Sequence, residues 1–131
     1  MQTDPIADFL TRVRNGLIAD QDEIEMPASR FKAELARILN EQGYIEAYSV
    51  EPARVGQVLR LRLKYTEDRR SVISGLERIS RPGRRRYVDA DEVPKVLGGM
   101  GTAIVSTSRG VMTGHEARRA HVGGELVAKV W

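Results

Sequence analysis

LRLRLKY, residues 59–65, alternates apolar and cationic side chains without a break. Successive side chains of a β-strand point to opposite faces, so Leu59, Leu61, Leu63 and Tyr65 share one face and Arg60, Arg62 and Lys64 the other. The stretch reads as a strand with one buried face and one wet, cationic face. Such a strand needs partners beside it and a layer over its apolar side, and the residues upstream supply both. Residues 44–50 read as a neighbouring strand, joined to it by a loop at 51–56. Residues 23–26 read as a shorter strand ended by Pro27. Ser29 is a helix N-cap; Phe31, Leu35, Ile38 and Leu39 form the apolar stripe behind it, and Gly43 sits just past the helix end. Asp4-Pro5 marks another helix start, N-cap then proline at the first helical position, and Ile6, Phe9, Leu10, Val13 and Leu17 recur on one face. Arg12 and Asn15 lie off that face, where they can meet solvent or a ligand. Residues 1–65 therefore read α-β-α-β-β.

The texture changes after Tyr65. Residues 66–70, TEDRR, form a charged connector and the expected domain boundary. Beyond it, Val72, Ile73, Ile79, Tyr87 and Val88 fall in short β-like pieces broken by Gly75 and Pro82-Gly83. A short helical turn is expected at 93–97, ending at Gly98-Gly99, and a strand at 102–107. Thr113 and Glu116 have capping-box spacing for a helix running to Ala120, and Gly123-Gly124 leads into a last strand at 125–131. The expected fold is α+β in two small domains. An α-β-α-β-β unit covers 1–66, and a mostly antiparallel β-sheet with short helices covers 71–131.

A chain of 131 residues, 41% hydrophobic and 30% charged, has the make-up of an ordinary globular protein. It has no cysteine, which excludes disulfides and thiolate metal sites. No apolar run reaches the roughly 20 residues of a membrane span. MQTDPIADFL, at the start, is not a basic leader followed by an apolar run, so a cytoplasmic protein with no membrane partner is expected. The net charge of +3 is spread unevenly: residues 1–65 carry 9 basic and 10 acidic groups, residues 66–131 carry 12 and 8. The densest stretch, 69–86, holds seven arginines and one acid, Glu77. A cationic half points to a polyanion partner, although a solvated basic face has the same composition. Arginine outnumbers lysine 17 to 4, which suits planar bidentate contacts and equally follows from a GC-rich genome.

The most distinctive polar segment is GTAIVSTSRGVMT, residues 101–113. An apolar stem, Ala103, Ile104 and Val105, opens into three hydroxyls, Ser106, Thr107 and Ser108, followed by Arg109 and Gly110. These groups contact phosphate and sugar oxygens and base edges; they are also routine hairpin residues. Ser80–Tyr87, SRPGRRRY, joins cations to an aromatic, which suits nucleic acid, or else is a basic turn with Tyr87 in the core. Gly98-Gly99-Met100-Gly101 precedes a strand and lacks a following Gly-Lys-Ser/Thr, so it is a tight turn rather than a nucleotide-binding loop. His115 and His121 are six apart, poor spacing for shared metal ligation, and read as surface residues. A hydrolase triad of Ser106 or Ser108 with His115 and Glu116 has no nucleophile-elbow pattern behind it. No enzyme and no cofactor are expected.

Eight ordered blocks carry a family likeness: DPIADFLTRVRN at 4–15, PASRFK at 27–32, ILNEQGYI at 38–45, LRLRLKY at 59–65, RISRPG at 78–83, VPKVLGGMG at 93–101, STSRGVMT at 106–113 and VGGELVAKVW at 122–131. In these blocks the chain resembles the bacterial small-subunit ribosomal protein eight family. The resemblance implies a two-domain fold and a structural role in the small ribosomal subunit. It implies binding to the central domain of small-subunit ribosomal RNA early in assembly, beside neighbouring ribosomal proteins. Some bacterial relatives also repress their own operon message by binding an RNA of similar shape. The family's main RNA-contacting loop maps onto Ser106, Thr107, Ser108 and Gly110, with Tyr87, Gly123, Gly124 and Glu125 beside it. Further contacts map onto Asp4, Arg12, Arg14, Asn15, Arg30 and Lys32.

Two departures stand out. Arg84, Arg85 and Arg86 occupy a block where family members often have apolar residues; they read as additional RNA contacts to phosphate, or else as cations facing water. Gly114-His115 stands where an acid commonly follows GVMT, which weakens the charge match to the helix dipole. The expected mechanism has two parts. The hydroxyl tip, Tyr87 and Glu125 read a distorted RNA site, and the cations supply the sequence-independent attraction.

Overall fold

A computed structural model describes residues 4–131; residues 1–3, with which the expected first domain begins, lie outside the described residues. The contacts divide the chain into two units, Pro5–Ile73 and Ser74–Trp131, with Asp4 belonging to the second. Among the described residues there are three α-helices and two antiparallel sheets, an α+β fold.

The first unit follows the hydrophobic pattern closely. Helix α1, Pro5–Ile18, buries Ile6, Phe9, Leu10 and Val13, spaced so that they fall on one face. Leu17, expected in that stripe, is only half-buried. Strand β1 is Glu23–Pro27, and helix α2 is Arg30–Glu41. Ser29 caps α2, its hydroxyl accepting the Lys32 N–H at 3.2 Å. The helix ends with Gly43 N–H donating to Asn40 O at 3.1 Å and Tyr44 N–H to Leu39 O at 2.8 Å, a Schellman closure. Strands β2, Ile45–Pro52, and β3, Gln57–Leu63, form a hairpin, and β3 is the centre of a sheet ordered β1-β3-β2. The loop expected at 51–56 is shorter, because pairing runs out to Pro52↔Gln57. Leu59, Leu61 and Leu63 are buried, as are Ile24 and Met26 opposite them on β1.

The other face of β3 is not bare. Arg60 donates to Glu25 at 2.7 Å and to Glu51 at 3.0 Å, and Arg62 lies 3.5 Å from Glu23. The register places Glu25 opposite Arg60 and Glu23 opposite Arg62, so the cationic stripe read from β3 alone is matched by an acidic one from β1. The charged connector at 66–70 is likewise tied down. Thr66 N–H and Arg70 O close a turn at 2.8 Å, and Arg69 donates to Asp22 at 2.7 Å and Asp20 at 2.9 Å. Its guanidinium also stacks 4.0 Å from the Tyr65 ring centre. Division between the units therefore falls after Ile73 rather than within 66–70.

The second unit is built around β8, Gly124–Val130. One edge of β8 pairs first with β5, Tyr87–Val88, and farther along with β4, Leu76–Arg78. The other edge pairs with β6, Thr102–Thr107, which turns into β7, Gly110–Thr113. Helix α3, Gly114–Ala120, carries the expected capping box: Glu116 N–H donates to Thr113 Oγ1, and Thr113 N–H donates to Glu116 Oε1, each at 3.1 Å. It packs on the sheet with Ala117 against a core of Val93, Val96, Ala103, Val105 and Leu126. The single helical turn expected at 93–97 is instead a 3₁₀ turn at Ala90–Glu92 and, at Val96–Gly99, a turn in which Leu97 (φ +48°) and Gly98 (φ +65°) are left-handed. Pro94 is the reason: a residue before proline is pushed into extended backbone, and Val93 has ψ of 122°.

Candidate nucleic-acid interface

The β6–β7 hairpin raises its polar tip on a buried stem. Ala103, Ile104 and Val105 are in the core, and polarity begins at Ser106. Thr107 and Gly110 form the last pair, leaving Ser108 and Arg109 at the apex. Gly110 has φ of +114°, a backbone conformation that side-chain-bearing residues rarely adopt. Thr107 Oγ1 donates to Gly110 O at 2.8 Å and accepts the Arg109 N–H at 3.1 Å. The middle hydroxyl thus closes the turn, while the hydroxyls of Ser106 and Ser108 have no partner among the described residues. A rigid tip with unpaired donors and acceptors can bind polar groups with little ordering cost.

Sheet register brings three expected site residues into a row. Ser106 pairs with Glu125 on β8, and Glu125 pairs with Tyr87 on β5. Directly opposed residues of an antiparallel sheet put their side chains on the same face. Tyr87 is 70% exposed, so of its two readings the wet one holds. Val105, Leu126 and Val88, the neighbours of that row along each strand, turn the other way into the core.

Gly123 and Gly124 make this close arrangement possible. A Cβ on Gly124 would lie 2.2 Å from Ser106 O, and one on Gly123 would lie 2.4 Å from Val88 O. Their role here is to let β8 pass between β6 and β5.

Glu125 is fixed from two sides. Its Oε2 accepts from Ser80 Oγ at 2.5 Å and from Arg85 Nη1 at 3.0 Å. Burial pushes the carboxyl pKa up; the bonds from Ser80 and Arg85 outweigh this and hold it below the usual glutamate range. Ser80 itself is buried and accepts the Arg86 N–H at 3.0 Å, pinning the cationic segment to the sheet. No role was expected for Ser80; it lies within the quoted SRPGRRRY segment, but a single serine before a turn carries no signal of burial.

Arg81 and Arg84 close the turn around Pro82-Gly83 through paired backbone bonds of 3.2 and 2.9 Å. Together with Arg85, Arg86 and Ile79 they line an open cleft. The guanidiniums of Arg81, Arg84, Arg86 and Arg109 have no acidic partner among the described residues.

The expected residues of the first unit are in a different state. Lys32 is only 8% exposed, and its ammonium donates to Asp8 Oδ2 at 2.9 Å. Arg12 also binds Asp8, at 3.1 Å. Arg12 and Asn15 share a cleft with Glu23 and Glu25. Arg14 and Arg30 are exposed. Asp4, grouped with the second unit, faces Arg78 at 3.3 Å.

The family model for ribosomal protein S8 matches residues 4–131. Small ribosomal subunit protein uS8 of Syntrophomonas wolfei is 50% identical over 132 residues, covering 100% of this chain and 99% of that protein. The proteins of the same name from Corynebacterium efficiens and Lactobacillus delbrueckii are 53% and 54% identical, each match covering 98% of both chains. With the family model spanning residues 4–131 and relatives 50–54% identical over nearly the whole of both chains, the chain belongs to the ribosomal protein S8 family.

Proposed function

We propose that this protein is a structural, non-catalytic component of the small ribosomal subunit, working in the cytoplasm within the ribosome. It binds the central domain of small-subunit RNA and supports assembly beside neighbouring ribosomal proteins. The observation that carries this reading is the row Ser106–Glu125–Tyr87 on one sheet face, next to a tip whose Ser106 and Ser108 hydroxyls have no partner among the described residues. RNA duplexes hide base edges in a deep, narrow groove, so specific proteins read 2′-hydroxyls, shallow grooves and splayed bases. A serine hydroxyl both donates and accepts, which suits each of these. An exposed tyrosine ring offers a face for a base or sugar. Arg81, Arg84, Arg86 and Arg109 supply attraction to phosphate that does not depend on sequence. The same grip would also suit an RNA of similar shape in the protein's own operon message, as in some bacterial relatives.

Ser108→Ala tests the reading. Because the Ser108 hydroxyl has no partner among the described residues, its loss leaves the fold intact and removes only bonds to RNA. Binding to a central-domain fragment weakens by about 1–3 kcal/mol, and binding to an unrelated duplex stays the same. Equal loss on both RNAs counts against a specific role for the tip.

A further inference from the structure

Arg84, Arg85 and Arg86 are adjacent in sequence but not equivalent. Arg84 and Arg86 have guanidiniums without an acidic partner among the described residues, whereas Arg85 Nη1 is 3.0 Å from Glu125 Oε2. The same oxygen accepts from buried Ser80, leaving Glu125 Oε1 with no partner among the described residues. Glu125 has a side chain only 15% exposed and stands opposite Ser106.

We infer that Glu125 is a selectivity residue of the RNA grip, withholding Arg85 from phosphate, and that Ser80 is the positioning residue that holds it there. The inference rests on the RNA-binding reading above. An unpaired guanidinium neutralises a phosphate on any RNA and strengthens binding to all of them. A carboxylate in contact with it cancels that charge and repels phosphate. Its remaining oxygen, on the same row as Ser106, accepts only from a ligand that brings an N–H or O–H to that point, such as a base amino group or a 2′-hydroxyl. Specificity is a difference of affinities, and penalising the wrong partner raises it as surely as rewarding the right one. Ser80 sets the geometry: its hydroxyl, anchored by the Arg86 N–H, keeps Oε2 turned toward Arg85.

The test measures the full chain binding a central-domain RNA fragment and an unrelated duplex across a salt series. Glu125→Gln binds the duplex several-fold more tightly at low salt, and its salt slope steepens by about one phosphate contact. The preference for the fragment falls about tenfold (the usual net size of one specific hydrogen bond). Adding Arg85→Gln to Glu125→Gln returns the duplex slope to that of the unaltered protein. Ser80→Ala shifts the slope in the same direction as Glu125→Gln, and Ser80→Thr, which keeps the hydroxyl, restores it. A merely structural role for Ser80 or Glu125 weakens both RNAs together and steepens neither slope. An unchanged duplex slope in folded Glu125→Gln overturns the inference. If the unaltered protein shows no preference for the fragment, the RNA-binding reading falls first and this inference with it.

Discussion

Two arginine-bearing regions look alike in the sequence and differ in the structure. The outer face of β3 carries Arg60 and Arg62, and the turn at 81–86 carries Arg81, Arg84, Arg85 and Arg86. On β3 each arginine meets a glutamate, with Arg60 placed among Glu23, Glu25 and Glu51. At the turn a single carboxylate, Glu125, takes one arginine of the four among the described residues. Only uncompensated charge attracts a polyanion at range or releases its counterions on contact. A run of cations is thus a candidate binding face only once the acids that fold beside it are known. By that criterion the second unit presents uncompensated cations, a candidate binding face, and the β3 face presents a lattice of surface pairs.

The contrast depends on the sheet holding its row, and Gly124→Ala breaks it most severely. The added Cβ would meet Ser106 O at 2.2 Å and Ser106 C at 2.9 Å, backbone atoms that cannot swing aside. Overpacking of this kind costs about 3 kcal/mol, the upper part of the usual range. Denaturant unfolding reads the loss directly, and specific RNA binding falls with it. A stability within about 0.5 kcal/mol of the unaltered protein, the scatter of harmless surface changes, would show that β8 and β6 are less tightly pressed than described.

A matched pair of double variants sharpens the comparison itself. Arg84→Gln with Arg86→Gln removes two unpaired cations, so affinity falls on every RNA and the duplex salt slope drops by roughly 1.8, or 0.9 per contact. Arg60→Gln with Arg62→Gln removes two cations already neutralised by β1 and β2, so the slope stays where it was. If both pairs change the slope equally, pairing with glutamate does not decide which arginines meet RNA.

Much of the fold was legible in the sequence because period and punctuation agree in the first unit. Ile6 to Val13, Ser29, Gly43 and the alternation of LRLRL each specify a local structure that the tertiary contacts then use, though the strand stops at Leu63, short of the expected Tyr65. The second unit was less legible for physical reasons. Its strands β4 and β5 are three and two residues long, too short to show a period. Pro94 divides what its neighbours suggest is one helical turn. At the site, the hydroxyl tip could be read from sequence, because the apolar stem and Gly110 are adjacent to it. The pairing state of each charge could not. Ser80 and Glu125 are 45 residues apart, and Lys32 and Asp8 are 24 apart; only the fold brings them together.

The pair Lys32–Asp8 offers the smallest effect and the closest check on how paired cations behave. The Lys32 bond holds the Asp8 pKa below its ordinary 3.8; burial opposes this, and Arg12 adds to the lowering. A carboxylate whose pKa is lower folded than unfolded stabilises the fold when ionised. That contribution is complete well above the ordinary aspartate value and is lost as pH falls through 3.8 toward the depressed folded value. Asp8 has a side chain 42% exposed, so water and salt screen the pair. The contribution is under about 1 kcal/mol, as for other half-exposed pairs. Asp8→Asn, similar in shape but uncharged, is therefore slightly less stable than the unaltered protein at neutral pH. The gap closes as the two are titrated into acid, and unfolding midpoints measured from pH 7 to pH 2 (the span in which a carboxylate pair is made and lost) follow it. The same variant leaves Lys32 without its carboxylate. It also leaves half-exposed Arg12 without its carboxylate, so the duplex salt slope steepens by about one contact if Lys32 stays buried, and by about two if Lys32 swings out to solvent as well.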